Sequence, residues 1–308
     1  MADLWRNFVG QPHDTVEQAI RADAPDILID LAGHTGLSRL PIFARRVAPV
    51  QISYLGYPNT SGLREMDYHF VDAITDPGPE DDKYYTEKLV RFAPCAWAYQ
   101  PPEAAPEPSA PPAGSAVTFG SFNNFAKASD QTLKLWGRVL SAVPESRLLL
   151  KAHSLDDPQL GAVMAKKLDV LGIDPSRIEL LGRTADVPSH LALYHRVDVA
   201  LDSFPYHGTT TTCEALWMGV PVVTQLGDRH VARVSASLLT AASHPEWIAH
   251  SEDEYVSIAA SLANDPGKRQ ILRHSLRDDL RRGPLLDHVK QTERFASALH
   301  HCWETRAR

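Results

Sequence analysis

Between residues 14 and 97 the pattern of apolar and polar positions alternates between helix and strand. Thr15–Ala22 reads as a helix, and Ile27-Leu28-Ile29-Asp30-Leu31 is a nearly continuous apolar run, as expected of a parallel strand covered by helices on both faces. Val50–Leu55 reads as a second strand. A glycine-bearing turn follows each strand, Ala32–Gly36 and Gly56–Gly62. Ligands in open α/β sheets lie outside the carboxyl ends of strands, so both turns are candidate sites.

From Pro94 to Pro112 the chain becomes rich in Pro, Ala and Glu, a composition that cannot pack a core and suits a semi-rigid linker. A second alternating series follows. It predicts strands over Val117–Phe122, Arg147–Lys151, Ile178–Leu181, Val199–Leu201 and Val222–Thr224. The helices between them are predicted over Asp130–Ala142, Pro158–Leu171, Val187–His195 and Thr212–Met218, with more beyond Val231. Strands and helices at this spacing imply an α/β fold with a doubly wound parallel sheet. The tail from Leu285 to Trp303 places Val289, Phe295, Leu299 and Trp303 in a near-helical rhythm and should pack as a helix onto one domain. The expected organisation is thus a first domain over 1–98, a linker over 99–116, a second domain over 117–284 and a carboxy-terminal helix over 285–308.

Composition narrows the function classes. A chain of 308 residues, 44% hydrophobic and 22% charged, is an ordinary globular sequence with room for about two domains. No apolar run approaches the roughly 18–20 residues of a spanning helix, so no membrane role is expected. The formal charge of −7 argues against a dedicated nucleic-acid binder. Cys95, Cys213 and Cys302 are widely separated, match no zinc spacing, and read as free thiols of a reducing cytoplasm.

The strongest chemical signal is the segment Leu201–Pro221, in which a strand end leads through Gly208 and four threonines, Thr209–Thr212, into a helix carrying Glu214. Backbone N–H groups and hydroxyls at a helix start suit an anion such as a diphosphate. Glu214, inside that helix, could accept hydrogen bonds from ribose hydroxyls. The plainer reading makes the threonines an N-cap and Glu214 a charge that complements the helix dipole. Two further loops on the same sheet edge favour the ligand reading. Phe119–Lys127 brings a lysine just past a strand, where it can meet a phosphate as a point charge, and Gly182–His190 is another strand-to-helix connection.

Taken in order, LAGHTG (31–36), APVQISYLGYPNTSG (48–62), FGSFNNFAK (119–127), LDSFPYHGTTTTCEALWMGVPVVT (201–224) and Arg233–Leu239 resemble the catalytic region of O-GlcNAc transferases and SPINDLY-like proteins. The resemblance runs from about residue 24 to the end. It implies a GT-B architecture of two Rossmann-like domains, the first of them partial. It also implies inverting, metal-independent transfer of GlcNAc from UDP-GlcNAc to Ser or Thr hydroxyls of intracellular proteins. No cofactor or metal is expected, and the absence of a D-x-D pair fits that.

Position by position, the resemblance puts Asn124 and Lys127 at the nucleotide diphosphate, with Lys127 as the catalytic group that offsets charge on the leaving group. It puts His190 against the base, Ala185 at a backbone contact to the base, Thr209, Thr210 and Thr211 at the phosphate turn, and Glu214 at the ribose. In the first domain Gly56, Tyr57 and Pro58 match the loop that approaches the sugar. His34 lies nearby, read as a hydrogen-bonded loop histidine rather than the base. Asn124, Val187, Thr209 and Glu214 stand where the animal transferases carry Gln, Lys, His and Asp. The FPY and GTTTTCE segments are shared with plant SPINDLY proteins, which use GDP-fucose, so fucosyl transfer is the alternative donor reading. Family members carry tetratricopeptide repeats and the first half of the first Rossmann domain before the part matched here. The chain is therefore expected to be the carboxy-terminal portion of a longer transferase, with a non-catalytic nucleotide-sugar-binding fragment as the third reading. Self-association through an unpaired sheet edge is also expected.

Overall fold

The computed structural model describes residues 3–306. In chain order the elements begin with α1 (His13–Asp23), β1 (Ile27–Asp30), α2 (Leu40–Phe43), β2 (Val50–Tyr54), β3 (Tyr68–Asp72), α3 (Pro79–Asp82) and β4 (Lys88–Phe92). They continue with β5 (Thr118–Ser121), α4 (Asp130–Ala142), β6 (Arg147–Lys151), α5 (Pro158–Val170), β7 (Ile178–Leu181), α6 (Val187–Ala192), β8 (Val199–Leu201) and α7 (Thr210–Trp217). The last are β9 (Val222–Gln225), α8 (Val234–Ala241), β10 (Ile248–Ala249), α9 (Glu252–Ala263), α10 (Pro266–Arg282) and α11 (His288–Glu304). They form two compact units: everything up to Ala96 together with the segment from Val289 onward, and Trp97–His288.

In the first unit β1-β2-β3-β4 form an all-parallel sheet in sequence order. The run Ile27–Ile29 shows why both faces need cover. Leu28 packs with Val16, Ile42 and Val47 beneath α1 and α2, whereas Ile27 and Ile29 pack with Val50, Ile52 and Phe70 on the opposite face. That opposite face is closed by α11, whose Phe295, Leu299, Cys302 and Trp303 join the same cluster. The tail thus forms the amphipathic helix its rhythm predicts, and it packs on the first sheet. Strands β3 and β4 have no counterpart in the sequence reading. Tyr68–Asp72 carries a histidine and a terminal aspartate within a buried strand, and Lys88–Phe92 has a mixed edge-strand pattern.

The second unit holds a six-stranded parallel sheet of order β10-β9-β8-β5-β6-β7. Its core includes Phe119, Leu133, Trp136, Leu148 and Leu150, each almost fully buried and each contributing about 1.5–3 kcal/mol by leaving water. α4 starts where Ser129 accepts the Thr132 N–H, a side-chain cap of the usual kind. β5 pairs with β6 on one side and β8 on the other, so the strand order reverses at β5 and opens a crevice at the carboxyl ends. The Pro-rich segment forms neither helix nor strand and belongs with this unit. It is strapped down at several points. Tyr99 N–H donates to Leu285 O at 2.8 Å, Arg277 reaches Pro106 O and, at 3.1 Å, Glu107 Oε1, and His195 Nε2 meets Glu107 O at 2.8 Å. Among the described residues no helix is long and apolar enough to cross a membrane.

Candidate functional site

The carboxyl ends of β5, β7 and β8 bring the loops flagged in the second domain to one edge. α7 begins at Thr210, and its N-cap residue Thr209 makes no side-chain cap hydrogen bond. By contrast, Asp186 caps α6 through the Ser189 N–H at 2.8 Å. The first-turn N–H groups of α7 are therefore the ones left for an outside acceptor, the condition for an anion site. Lys127 lies on a 3₁₀ turn over Phe125–Lys127 after β5. Its Nζ donates to His207 O at 2.7 Å and sits 4.0 Å from the centre of the Tyr206 ring. Burial pulls the Lys127 pKa below its ordinary value, with Asp202 partly offsetting that.

The turn that links β8 to α7 is fixed by Asp202. Its buried Oδ1 accepts from Asn123 Nδ2 at 3.1 Å, Ser203 N at 2.9 Å and Gly208 N at 2.8 Å, and Oδ2 accepts from Thr224 Oγ1 at 2.8 Å. Asn123 Oδ1 in turn accepts from Thr211 Oγ1 at 2.6 Å. Gly208 is needed where these groups converge, because a Cβ there would lie 2.6 Å from Thr211 Oγ1 and 2.8 Å from Asn123 Oδ1. Below the turn, His207 Nδ1 accepts the Ser235 N–H at 3.2 Å and Nε2 meets Gln225 O at 2.9 Å. That pairing puts the proton on Nε2 and makes the ring neutral, in agreement with the burial that pushes its pKa down. The 3.7 Å approach of His207 to Asp202 is thus a contact between a neutral ring and a carboxylate rather than an ion pair.

On the β7 side, His190 Nε2 lies 3.1 Å from Glu214 Oε2, and both side chains are largely buried. The His190 ring is 5.8 Å from Phe122 and 6.0 Å from Tyr194, while its Nδ1 has no hydrogen-bond partner. Ala185 is exposed in the loop before α6. Lys127, His190, Thr209, Thr210, Thr211 and Glu214 thus share one edge of one sheet. Asn124 is there too, but its Oδ1 is used locally, capping the 3₁₀ turn through Ala126 N at 3.1 Å. Its neighbour Asn123 is the one tied to Asp202, Ser203 and Thr211.

Within the first unit the turns after β1 and β2 lie against each other. Gly33 has φ +53°, and a Cβ there would fall 2.2 Å from Tyr57 Cβ. A Cβ on Gly56 would fall 1.7 Å from Leu31 O. The Asp30 carboxylate holds the first turn through Gly33 N at 2.7 Å. Tyr57 and Pro58 are half-buried and Gly56 is exposed. His34 Nε2 meets Ser61 O at 2.8 Å, and its ring meets Tyr57 edge-on at 5.2 Å.

Residues 10–97 and 111–295 match glycosyl transferase family 41. The chain belongs to this family. A probable UDP-N-acetylglucosamine–peptide N-acetylglucosaminyltransferase SPINDLY of Solanum lycopersicum is 42% identical over 302 residues, covering 97% of this chain and 32% of that relative. The probable transferase SEC of Arabidopsis thaliana is 30% identical, over 98% of this chain and 32% of the relative. The solved structure of a mutant O-GlcNAc transferase from Thermobaculum terrenum superposes with a TM-score of 0.89 at 38% identity, covering 98% of this chain and 57% of that one. The fold is therefore α/β of the GT-B type, as the resemblance implied. The chain spans about a third of the length of these curated relatives.

Three residues of this candidate site escaped the sequence reading: Asn123, Asp202 and His207. Asp202 carried a usable signal, since it is the first residue beyond the carboxyl end of a parallel strand at the switch point. His207 carried none beyond its place in the Leu201–Pro221 segment. Among the described residues no group of three or more His, Cys, Asp and Glu could hold a metal ion.

Proposed function

We propose that this chain carries the donor-binding and transfer chemistry of an inverting, metal-independent glycosyltransferase that moves GlcNAc from UDP-GlcNAc to Ser or Thr hydroxyls of intracellular proteins. The observation that carries the reading is the pairing of the uncapped start of α7 with the half-buried Lys127 ammonium on the neighbouring loop. Together they supply N–H groups, hydroxyls and one full positive charge where a diphosphate would lie. The acceptor oxygen forms a bond to the anomeric carbon as the bond to the diphosphate oxygen breaks, and UDP and a proton are released. Negative charge grows on the diphosphate in that step, so donors fixed around it lower the barrier more than they stabilise bound donor.

Glu214 would take the ribose through the carboxylate oxygen that His190 does not engage, and His190 and Ala185 would border the base. Asn124 would meet the diphosphate through its amide. The three buried thiols suit a reducing compartment.

A second reading takes GDP-fucose as donor, on the resemblance of the FPY and GTTTTCE segments to plant SPINDLY proteins. Calorimetric titration of the chain with UDP and with GDP, repeated on Lys127→Ala, separates the cases. UDP binding that weakens in the variant supports GlcNAc transfer, and preference for GDP moves the donor to GDP-fucose. If neither binds, the donor-site reading fails.

A further inference from the structure

Lys127 is held in an unusual way for a half-buried ammonium. Among the described residues it has no ion-pair partner. Its ammonium donates to His207 O at 2.7 Å, and the Tyr206 ring centre lies 4.0 Å from Nζ. A carboxylate partner would neutralise the lysine and compete with any phosphate for it. A carbonyl and a π face hold the cation and leave its charge in place.

The ring is well placed for this task. Tyr206 is 39% exposed, yet its backbone is fixed on both sides. Its carbonyl accepts from Ser203 Oγ at 2.5 Å, and the next amide, His207 N–H, donates to Val231 O at 3.1 Å. Ser203 N–H is in turn held by Asp202 at 2.9 Å. The aromatic face is thus carried by the same pinned loop that leads into the α7 turn.

We propose that Tyr206 is a positioning residue for the phosphate-bearing ligand: its ring face fixes the charged Lys127 ammonium beside the start of α7 without neutralising it. The role rests on the nucleotide-diphosphate reading above. It needs the ring and not the hydroxyl, and it acts only through Lys127.

The test is calorimetric binding of UDP and of uridine, which lacks the diphosphate, to the full chain and to Tyr206→Leu, Tyr206→Phe, Tyr206→Trp, Lys127→Met and the Leu/Met double variant. Tyr206→Leu should weaken UDP by about 3- to 30-fold, the equivalent of one cation–π contact, and leave uridine within about twofold. Tyr206→Phe and Tyr206→Trp keep a π face and should bind UDP like the parent. In the Lys127→Met background the leucine substitution should change nothing further. Equal losses of UDP and uridine, a Phe variant as weak as the Leu variant, or additive losses in the double variant would each overturn the proposal. If the parent prefers GDP, the same comparison is made with GDP and guanosine. A parent that binds neither UDP nor GDP overturns the nucleotide reading and this role with it. Parent binding with an unchanged nucleotide-to-nucleoside ratio in Tyr206→Leu overturns the Tyr206 role alone.

Discussion

Asp202 and Gly208 are joined by a 2.8 Å hydrogen bond from the Gly208 N–H to Asp202 Oδ1, which closes the connection between β8 and α7 before the first threonine of the helix. The same carboxylate holds Asn123 from the β5 loop and Thr224 from β9. One buried side chain therefore sets the relation between three strand ends and the start of α7.

Replacing it tests that role. Asp202→Ala removes the acceptor from four donors in a site with almost no solvent, and each buried donor left unpaired costs about 1–3 kcal/mol. Relaxation and water entry recover part of this, so an overall loss of about 3 kcal/mol or more is expected by urea denaturation, with UDP binding lost. Asp202→Asn keeps one oxygen for Gly208 and Asn123, while the Thr224 hydroxyl can turn to accept from the new amide. Its loss should be nearer 1 kcal/mol. Equal losses in the two variants would show that the carboxylate does not organise the turn.

His207 gives the second unit a pH signature. Burial holds its folded pKa below the ordinary 6.5, so the folded ring stays neutral where the unfolded one gains a proton. Its contribution is complete above about pH 6.5 and is lost as pH falls from there toward the folded value, at up to about 1.4 kcal/mol per pH unit. His207→Asn keeps an acceptor for the Ser235 N–H and removes the titration. Denaturation midpoints for the two proteins between pH 7.5 and 5 should converge toward the acid end, and parallel curves would contradict the assignment.

How much of this was readable in advance depends on how local the cause is. α4, β6, β7 and β8 match the sequence expectation residue for residue, because a side-chain cap at Ser129 and charged or turn residues at the strand ends mark their limits. β3 and β4 did not stand out. His69 and Asp72 are buried only because segments outside the strand cover them, His69 beside the Tyr85 ring at 5.3 Å and Asp72 where it accepts the Ala96 N–H at 3.1 Å, and that information is not local. The site shows the same division. Lys127, the threonine run and Glu214 were legible from motif spacing. Asn123 and Asn124 are chemically identical neighbours, and only the 3₁₀ turn decides that 124 caps the backbone while 123 enters the polar network.

Lys127 itself predicts a rate effect and a pH limb. Lys127→Ala should lower turnover with UDP-GlcNAc and a Ser/Thr peptide by roughly 10²–10³, with the thermal midpoint little changed. Because burial lowers its pKa from 10.5, turnover that needs the charged ammonium should fall as pH rises through a value below 10.5. The alanine variant should lack that limb. A rate unchanged by the substitution removes Lys127 from the chemistry.

A pair of glycines separates geometry at the turn from general backbone effects. At Gly208 a methyl group would meet Thr211 Oγ1 at 2.6 Å, Asn123 Oδ1 at 2.8 Å and Thr212 Oγ1 at 2.8 Å. All three belong to the network around the start of α7, so relief must come from moving the threonines or Asn123. Gly208→Ala should cost about 1–3 kcal/mol of stability and weaken UDP binding by about tenfold, as expected when a tightly fitted site shifts. At Gly161, inside α5, a methyl meets nothing within 4 Å. Gly161→Ala removes a helix-interior glycine and should stabilise by about 0.5–1 kcal/mol, with UDP affinity unchanged. Calorimetry and urea denaturation on both variants decide the matter. If Gly208→Ala bound UDP as tightly as Gly161→Ala, the turn would tolerate displacement and the close convergence of Asp202, Asn123 and Thr211 would not be what shapes the anion site.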